Sequence, residues 1–127
     1  NFVKSIMHAA RSQTTLQVVA DQRGCPTYAE DLAEALRALA DRRVEGILHV
    51  TNRGECTWHE FACAIVTMMG LPVSVQAITT QMAGRLAPRP SYSVLAQDRA
   101  RSLGVILPDW KDALTRFMHP QQGTMAA

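Results

Sequence analysis

Residues 54–78 read GECTWHEFACAIVTMMGLPVSVQAI, and their order decides the fold class. Thr57 stands three residues before Glu60. At that spacing the hydroxyl accepts from a helix N–H while the carboxylate reaches back to the N-cap N–H. Trp58, Phe61, Ala62, Ile65, Val66 and Met69 then recur at helical spacing. Gly70 and Pro72 end the helix, the first by tolerating a left-handed conformation, the second by lacking an N–H. Val73 to Ile78 is short and rich in branched residues, which predicts a strand. A helix running straight into a strand is the repeating element of layered α/β proteins.

The same alternation extends outward on both sides. Phe2, Val3, Ile6, Met7 and Ala10 predict a helix over 2–11, and Leu16 to Ala20 a strand. Asp21-Gln22-Arg23-Gly24 turns the chain. Thr27 and Glu30 repeat the capping pattern, and Leu32, Leu36 and Leu39, with Ala33 and Ala40, give the expected buried face of a helix over 28–41. Gly46 opens Ile47-Leu48-His49-Val50, an expected strand that ends at the turn Thr51-Asn52-Arg53-Gly54. Downstream, residues 79–90 form a loop holding Arg85, Pro88, Arg89 and Pro90, and Tyr92 to Leu95 is extended. A brief helix over 98–103 stops at Gly104, and a last helix from Asp109 buries Trp110, Leu114, Phe117 and Met118. The expectation is an α/β fold with a small three-stranded mixed sheet and flanking helices. Residues 1–119 form one domain, and 120–127 a flexible tail.

Bulk properties exclude several functions. Thirteen basic against 11 acidic residues, net +2, is too even for a dedicated nucleic-acid binder. No apolar run approaches the roughly 20 residues that span a bilayer. Cys25, Cys56 and Cys63 are odd in number and form no CxxC pair, which points to reduced thiols in a cytoplasmic protein. His8, His49, His59 and His119 lack ligand spacing, so no metal site is expected. Asn1 stands where an initiator Met would, and the chain is expected to begin inside a longer protein. Neither GxGxxG nor GxxxxGK[ST] occurs, GxSxG is missing, and Tyr28 and Tyr92 are followed four residues later by Leu32 and Ala96, not by Lys. The chain therefore holds no usual nicotinamide site and no catalytic residues of its own.

An ordered series of short motifs is more specific than any one of them. It runs Asn1-Phe2-Val3-Lys4, Asp21-Gln22-Arg23-Gly24-Cys25-Pro26-Thr27-Tyr28, Asp31-Leu32-Ala33, Gly46 to Asn52, Gly54 to Ala62, Arg89-Pro90-Ser91-Tyr92-Ser93-Val94-Leu95, and Leu103-Gly104 before Trp110 to Leu114. In this order it resembles, over residues 1–119, the C-terminal part of the dTDP-4-dehydrorhamnose reductase family, extended short-chain dehydrogenases acting on sugar nucleotides. One departure is Ala96, where that family often carries Asp. The resemblance implies the C-terminal, substrate-side portion of an extended Rossmann-type reductase. Its partners would be a dTDP-4-keto-6-deoxy sugar and an N-terminal Rossmann portion that binds NADPH. A tyrosine outside this chain would supply the proton as hydride reaches the C4 ketone. Separately from the resemblance, the helix over 2–11 carries Phe2, Val3, Ile6 and Met7, an apolar face expected to stand uncovered without that N-terminal portion, which makes a homodimer a further expected state. The alternatives are a non-catalytic regulatory subunit of the same fold and a stand-alone interaction domain.

Three residues are candidate substrate contacts. Arg89 lies between Pro88 and Pro90, which restrict the loop, and a guanidinium fork suits diphosphate oxygens. The competing reading is a solvated surface arginine, and the resemblance favours the first. Asn1 is a good N-cap by residue type, and by resemblance its amide also reaches substrate. Gln22 sits in a tight turn where its amide can meet sugar hydroxyls. Arg85 reads as a surface residue, Trp58 as core cover in preference to a stacked base, and Cys25 lacks a neighbouring base.

Overall fold

The computed structural model describes residues 1–40 and 42–119. The tail expected at 120–127 lies outside the described residues. In chain order the elements are α1 (Phe2–Ala10), β1 (Thr15–Val19), β2 (Arg23–Gly24), α2 (Ala29–Ala40), β3 (Cys56–Thr57), α3 (Trp58–Met69), β4 (Ser74–Ile78), α4 (Asp98–Ser102) and α5 (Trp110–Met118). They fall into two compact units, Asn1–Cys25 with Glu55–Leu95, and Pro26–Gly54 with Ala96 onward.

The first unit carries both sheets. β1 and β4 pair in parallel, from Thr15 opposite Ser74 to Val19 opposite Ile78. β2 and β3 form a short antiparallel ladder, Arg23 opposite Thr57 and Gly24 opposite Cys56. Tyr92 bridges to Arg23, so the end of the 79–90 loop returns to the β2 edge. α1 starts on Asn1, whose Oδ1 accepts from Lys4 N–H at 3.0 Å, and buries Ile6 and Ala10. α3 starts on the complete capping box of Thr57 and Glu60 and buries Phe61, Ala62, Ile65 and Val66. Phe2 meets Trp58 at 4.7 Å and stacks on Phe61 at 5.7 Å.

The second unit packs α2, α4 and α5 with no strand of its own among the described residues. Ala35, Ala100, Val105 and Leu107 form its core, with Leu39, Leu48 and Val50 against it. Its polar centre is Asn52, wholly buried. The Asn52 amide donates to Asp31 Oδ2 at 2.6 Å and to the Pro108 carbonyl at 3.0 Å, and its Oδ1 accepts from Tyr28 N–H at 2.7 Å. Arg116 donates to Asp31 at 2.8 Å and to Asp112 at 2.9 Å, and covers the Tyr28 ring.

Three expectations are corrected. The single three-stranded mixed sheet is replaced by two two-stranded sheets, one parallel and one antiparallel. The expected strand at Ile47–Val50 is not one. Arg99 donates to the Ile47 carbonyl at 2.8 Å and to the Glu45 carbonyl, acceptors that a neighbouring strand would otherwise use. The inward face of α2 is shifted: Asp31 and Ala35 are buried and Leu39 packs on the core as expected, while Leu36 stays 55% exposed. The bonds from Asn52 and Arg116 hold the Asp31 face inward.

Candidate functional site

The first unit contains a cavity of about 740 Å³. Three elements build it. α1 supplies Phe2, Ser5, Ile6 and Ala9, β1 supplies Leu16 to Val19, and the segment after β4 supplies Met82, Ala83, Arg85 and Arg89. Gln13, Gln22, Trp58 and Ile78 complete the wall. The lining mixes apolar side chains of α1 and β1 with hydroxyl, amide and guanidinium groups in about equal measure, which suits a ligand that is part apolar and part polar.

Of the residues singled out in the sequence, Gln22 and Arg89 meet in this cavity, 67 positions apart in the chain. Asn1 is not among the lining residues. It caps α1, and the next residue, Phe2, is the first to face the cavity. Arg85, read as a surface residue, lines the cavity beside Arg89. Its four-residue spacing from Arg89 across a proline-bounded loop was the available signal. Trp58, read as core cover, is 40% exposed and lines the same space from the first position of α3.

A polar relay stands behind Gln22. The parallel register sets Val19 opposite Ile78, so two residues further on Asp21 comes to Thr80. Asp21 accepts from Thr80 N–H at 2.9 and 3.0 Å and from the Thr80 hydroxyl at 2.7 Å. These bonds from Thr80, side chain first and backbone second, hold the Asp21 carboxyl below its ordinary pKa. Gln22 is buried, and its Nε2 donates to Thr80 Oγ1 at 2.9 Å. Next to it, Arg23 pairs with Glu55 at 3.4 Å and Glu60 at 3.3 Å. The Tyr92 hydroxyl donates to Glu55 at 3.0 Å, which raises the Tyr92 pKa.

Cys63 is not activated as a nucleophile. Burial, and then the nearby charge of Glu60, push the Cys63 thiol pKa up, so it stays protonated at neutral pH. His59 Nε2 lies 3.0 Å from the Val75 carbonyl, the geometry of an N–H donor to that oxygen. Among the described residues no group of three His, Cys, Asp or Glu side chains could hold a metal ion, and no helix is long and apolar enough to cross a membrane.

A dinucleotide has a usual cradle, which α1, α3 and α5 do not present. Its pyrophosphate sits at a glycine-rich turn opening onto a bare helix N-terminus. Here α1, α3 and α5 open on Asn1, Thr57 and Asp109, each of whose side chains takes one end N–H, while α4 opens on Gln97 without a side-chain cap. The turn after β1 reads Asp21-Gln22-Arg23-Gly24, with one glycine.

Comparison with known proteins gives one family match, to the RmlD substrate binding domain over residues 1–122. The chain is 41% identical over 118 residues to the spore coat polysaccharide biosynthesis protein SpsK of Bacillus subtilis, covering 93% of this chain and 41% of that protein. It is 38% identical over 122 residues to a dTDP-4-dehydrorhamnose reductase of Streptomyces griseus, covering 91% and 40%. A solved dTDP-4-dehydrorhamnose reductase from Bacillus anthracis, in complex with NADP, superposes with a TM-score of 0.90 at 35% identity, over 95% of this chain and 43% of that one. The chain thus spans about two fifths of the length of these relatives.

Proposed function

The chain belongs to the RmlD substrate binding domain family, and on that premise we propose that it is the nucleotide-sugar-binding portion of a cytoplasmic, NADPH-dependent dTDP-4-dehydrorhamnose reductase. The cofactor site of that enzyme lies outside these 127 residues. The observation that carries the reading is the meeting of Arg85, Arg89 and Gln22 in one cavity. The two guanidiniums take the diphosphate oxygens, and two charge-assisted forks suit a doubly charged group better than one. Gln22 takes the sugar. The apolar wall of α1 and β1 receives the base and deoxyribose. Asn1 is not among the cavity's lining residues and commits its Oδ1 to the α1 cap, so its expected substrate contact is left to Nδ2. This division supplies orientation, the share of catalysis that comes from holding the reacting carbon in place.

No cofactor-binding motif in the sequence supports an NADPH site on this chain, so we assign no chemical step to it. The test is a pair of titrations of the pure 127-residue protein. Calorimetry with dTDP is expected to show saturable binding. NADPH oxidation with a dTDP-4-keto-6-deoxy sugar is expected to stay at the level of the enzyme-free control. Absence of dTDP binding overturns the reading, and turnover by the chain alone overturns the assignment of the chemistry to residues elsewhere.

A further inference from the structure

Gln22 can meet a ligand in either of two ways, since its amide has a donor end and an acceptor end. The surroundings choose between them. The Asp21 carboxylate is ionised at neutral pH and can only accept. It receives both the Thr80 backbone N–H and the Thr80 hydroxyl proton, the latter at 2.7 Å. A hydroxyl whose proton is committed has only lone pairs left to offer. The group 2.9 Å away on Gln22 must therefore be the N–H end, which turns the carbonyl oxygen to the other side of the amide. Gln22 is 6% exposed and lines the cavity, so its orientation is fixed where it borders the ligand space.

We propose that Asp21 and Thr80 are positioning residues that present the Gln22 carbonyl oxygen as the acceptor for a sugar hydroxyl. The proposal rests on the reading of the cavity as a nucleotide-sugar site, and it adds polarity to that reading. The site selects a ligand group that donates, a hydroxyl, over one that only accepts, such as a ring ether or carbonyl oxygen. It also separates two jobs of Thr80. Its backbone N–H ties the start of the 79–90 loop to Asp21, and its hydroxyl orients Gln22.

Thr80→Val removes the hydroxyl at nearly constant volume and keeps the backbone N–H. Calorimetry on the 127-residue chain would compare dTDP with dTDP-rhamnose, which adds the sugar hydroxyls. The expectation is unchanged dTDP affinity and dTDP-rhamnose affinity lowered by on the order of tenfold, the scale of one lost hydrogen bond. Thr80→Ser restores the wild-type value. The Gln22 side-chain amide resonances, read without ligand, shift in Thr80→Val and return in Thr80→Ser. Equal affinities of Thr80→Val and wild type for dTDP-rhamnose, with wild-type dTDP binding intact, overturn the relay alone. Equal losses for dTDP and dTDP-rhamnose assign Thr80 to the loop and also overturn it. Wild-type protein that binds neither nucleotide overturns the underlying site and the relay together.

Discussion

Individual side chains carry the strongest consequences. Arg89 was singled out from its proline-flanked position, and it does line the cavity. Arg89→Ala is expected to weaken dTDP binding by about 1–3 kcal/mol, the cost of losing a hydrogen bond to a charged group. Unchanged calorimetric affinity would remove Arg89 from the site. Asp31 and Asn52 were not singled out, because a carboxylate in a leucine-rich helix and an asparagine in a turn both read as surface by composition. Their importance depends on Arg116, 85 positions from Asp31, and on the Pro108 carbonyl, neither of which a local pattern brings near. The bond from Arg116 first, and then that from Asn52, hold the Asp31 pKa below the ordinary carboxylate value. The folded state thus binds this proton less readily than the unfolded chain. The stabilisation is complete above the unfolded value of 3.8 and is lost as pH falls through the lower folded value. Urea melts from pH 6 to pH 2.5 should show this loss, and Asp31→Asn should flatten that part of the profile. An identical acid slope in the variant would contradict the assignment.

At the scale of elements, local grammar fixed what local interactions decide. The capping box at Thr57 and Glu60, the stop at Gly70 and the cap at Asp109 all stand where their residue types place them. Thr57→Ala should cost about 1 kcal/mol in a denaturant melt, the usual value of an N-cap, and no change in midpoint would count against the box. Gly54 has φ +80°, and a Cβ there would come within 2.9 Å of Asp109 Oδ2 and Trp110 Cδ1. Gly54→Ala should therefore destabilise by more than the roughly 1 kcal/mol of a left-handed alanine alone. What local grammar could not decide was pairing. Ile47-Leu48-His49-Val50 has strand composition, yet Arg99 takes the Ile47 carbonyl and that of Glu45 just before it. Arg23-Gly24 and Cys56-Thr57 read as turn and helix entry, yet they pair. Leu36 has core composition, yet α2 is turned by a buried carboxylate on its opposite side. The Asp21–Thr80 contact likewise follows from the register of β1 on β4, which no residue in either strand announces.

For the whole molecule, the sequence reading placed an uncovered apolar face on α1. In the structure Ile6 and Ala10 are buried, and Phe2 is in ring contact with Trp58 and Phe61. The candidates for bare surface lie elsewhere. β1 and β4 make a parallel sheet of two strands, and parallel sheets are ordinarily covered on both faces. Met82, Leu86 and Ile47 stand 69%, 103% and 80% exposed. Self-association of the 127-residue chain is the expected consequence, and light scattering over a hundredfold concentration range should show a rising mean mass. A monomeric mass throughout would show that these side chains and sheet faces tolerate water. The family was legible early because its motifs are spread along the chain in fixed order, whereas the site was half legible, because Arg85 and Trp58 reach it only through the fold. The most direct measurement is an amide-resonance map of the isotope-labelled chain titrated with dTDP-rhamnose. The account predicts shifts concentrated on Phe2, Val18, Gln22, Ile78, Arg85 and Arg89, with α2 and α5 little changed. Shifts centred on α2 or α5, or none at saturating ligand, would contradict it.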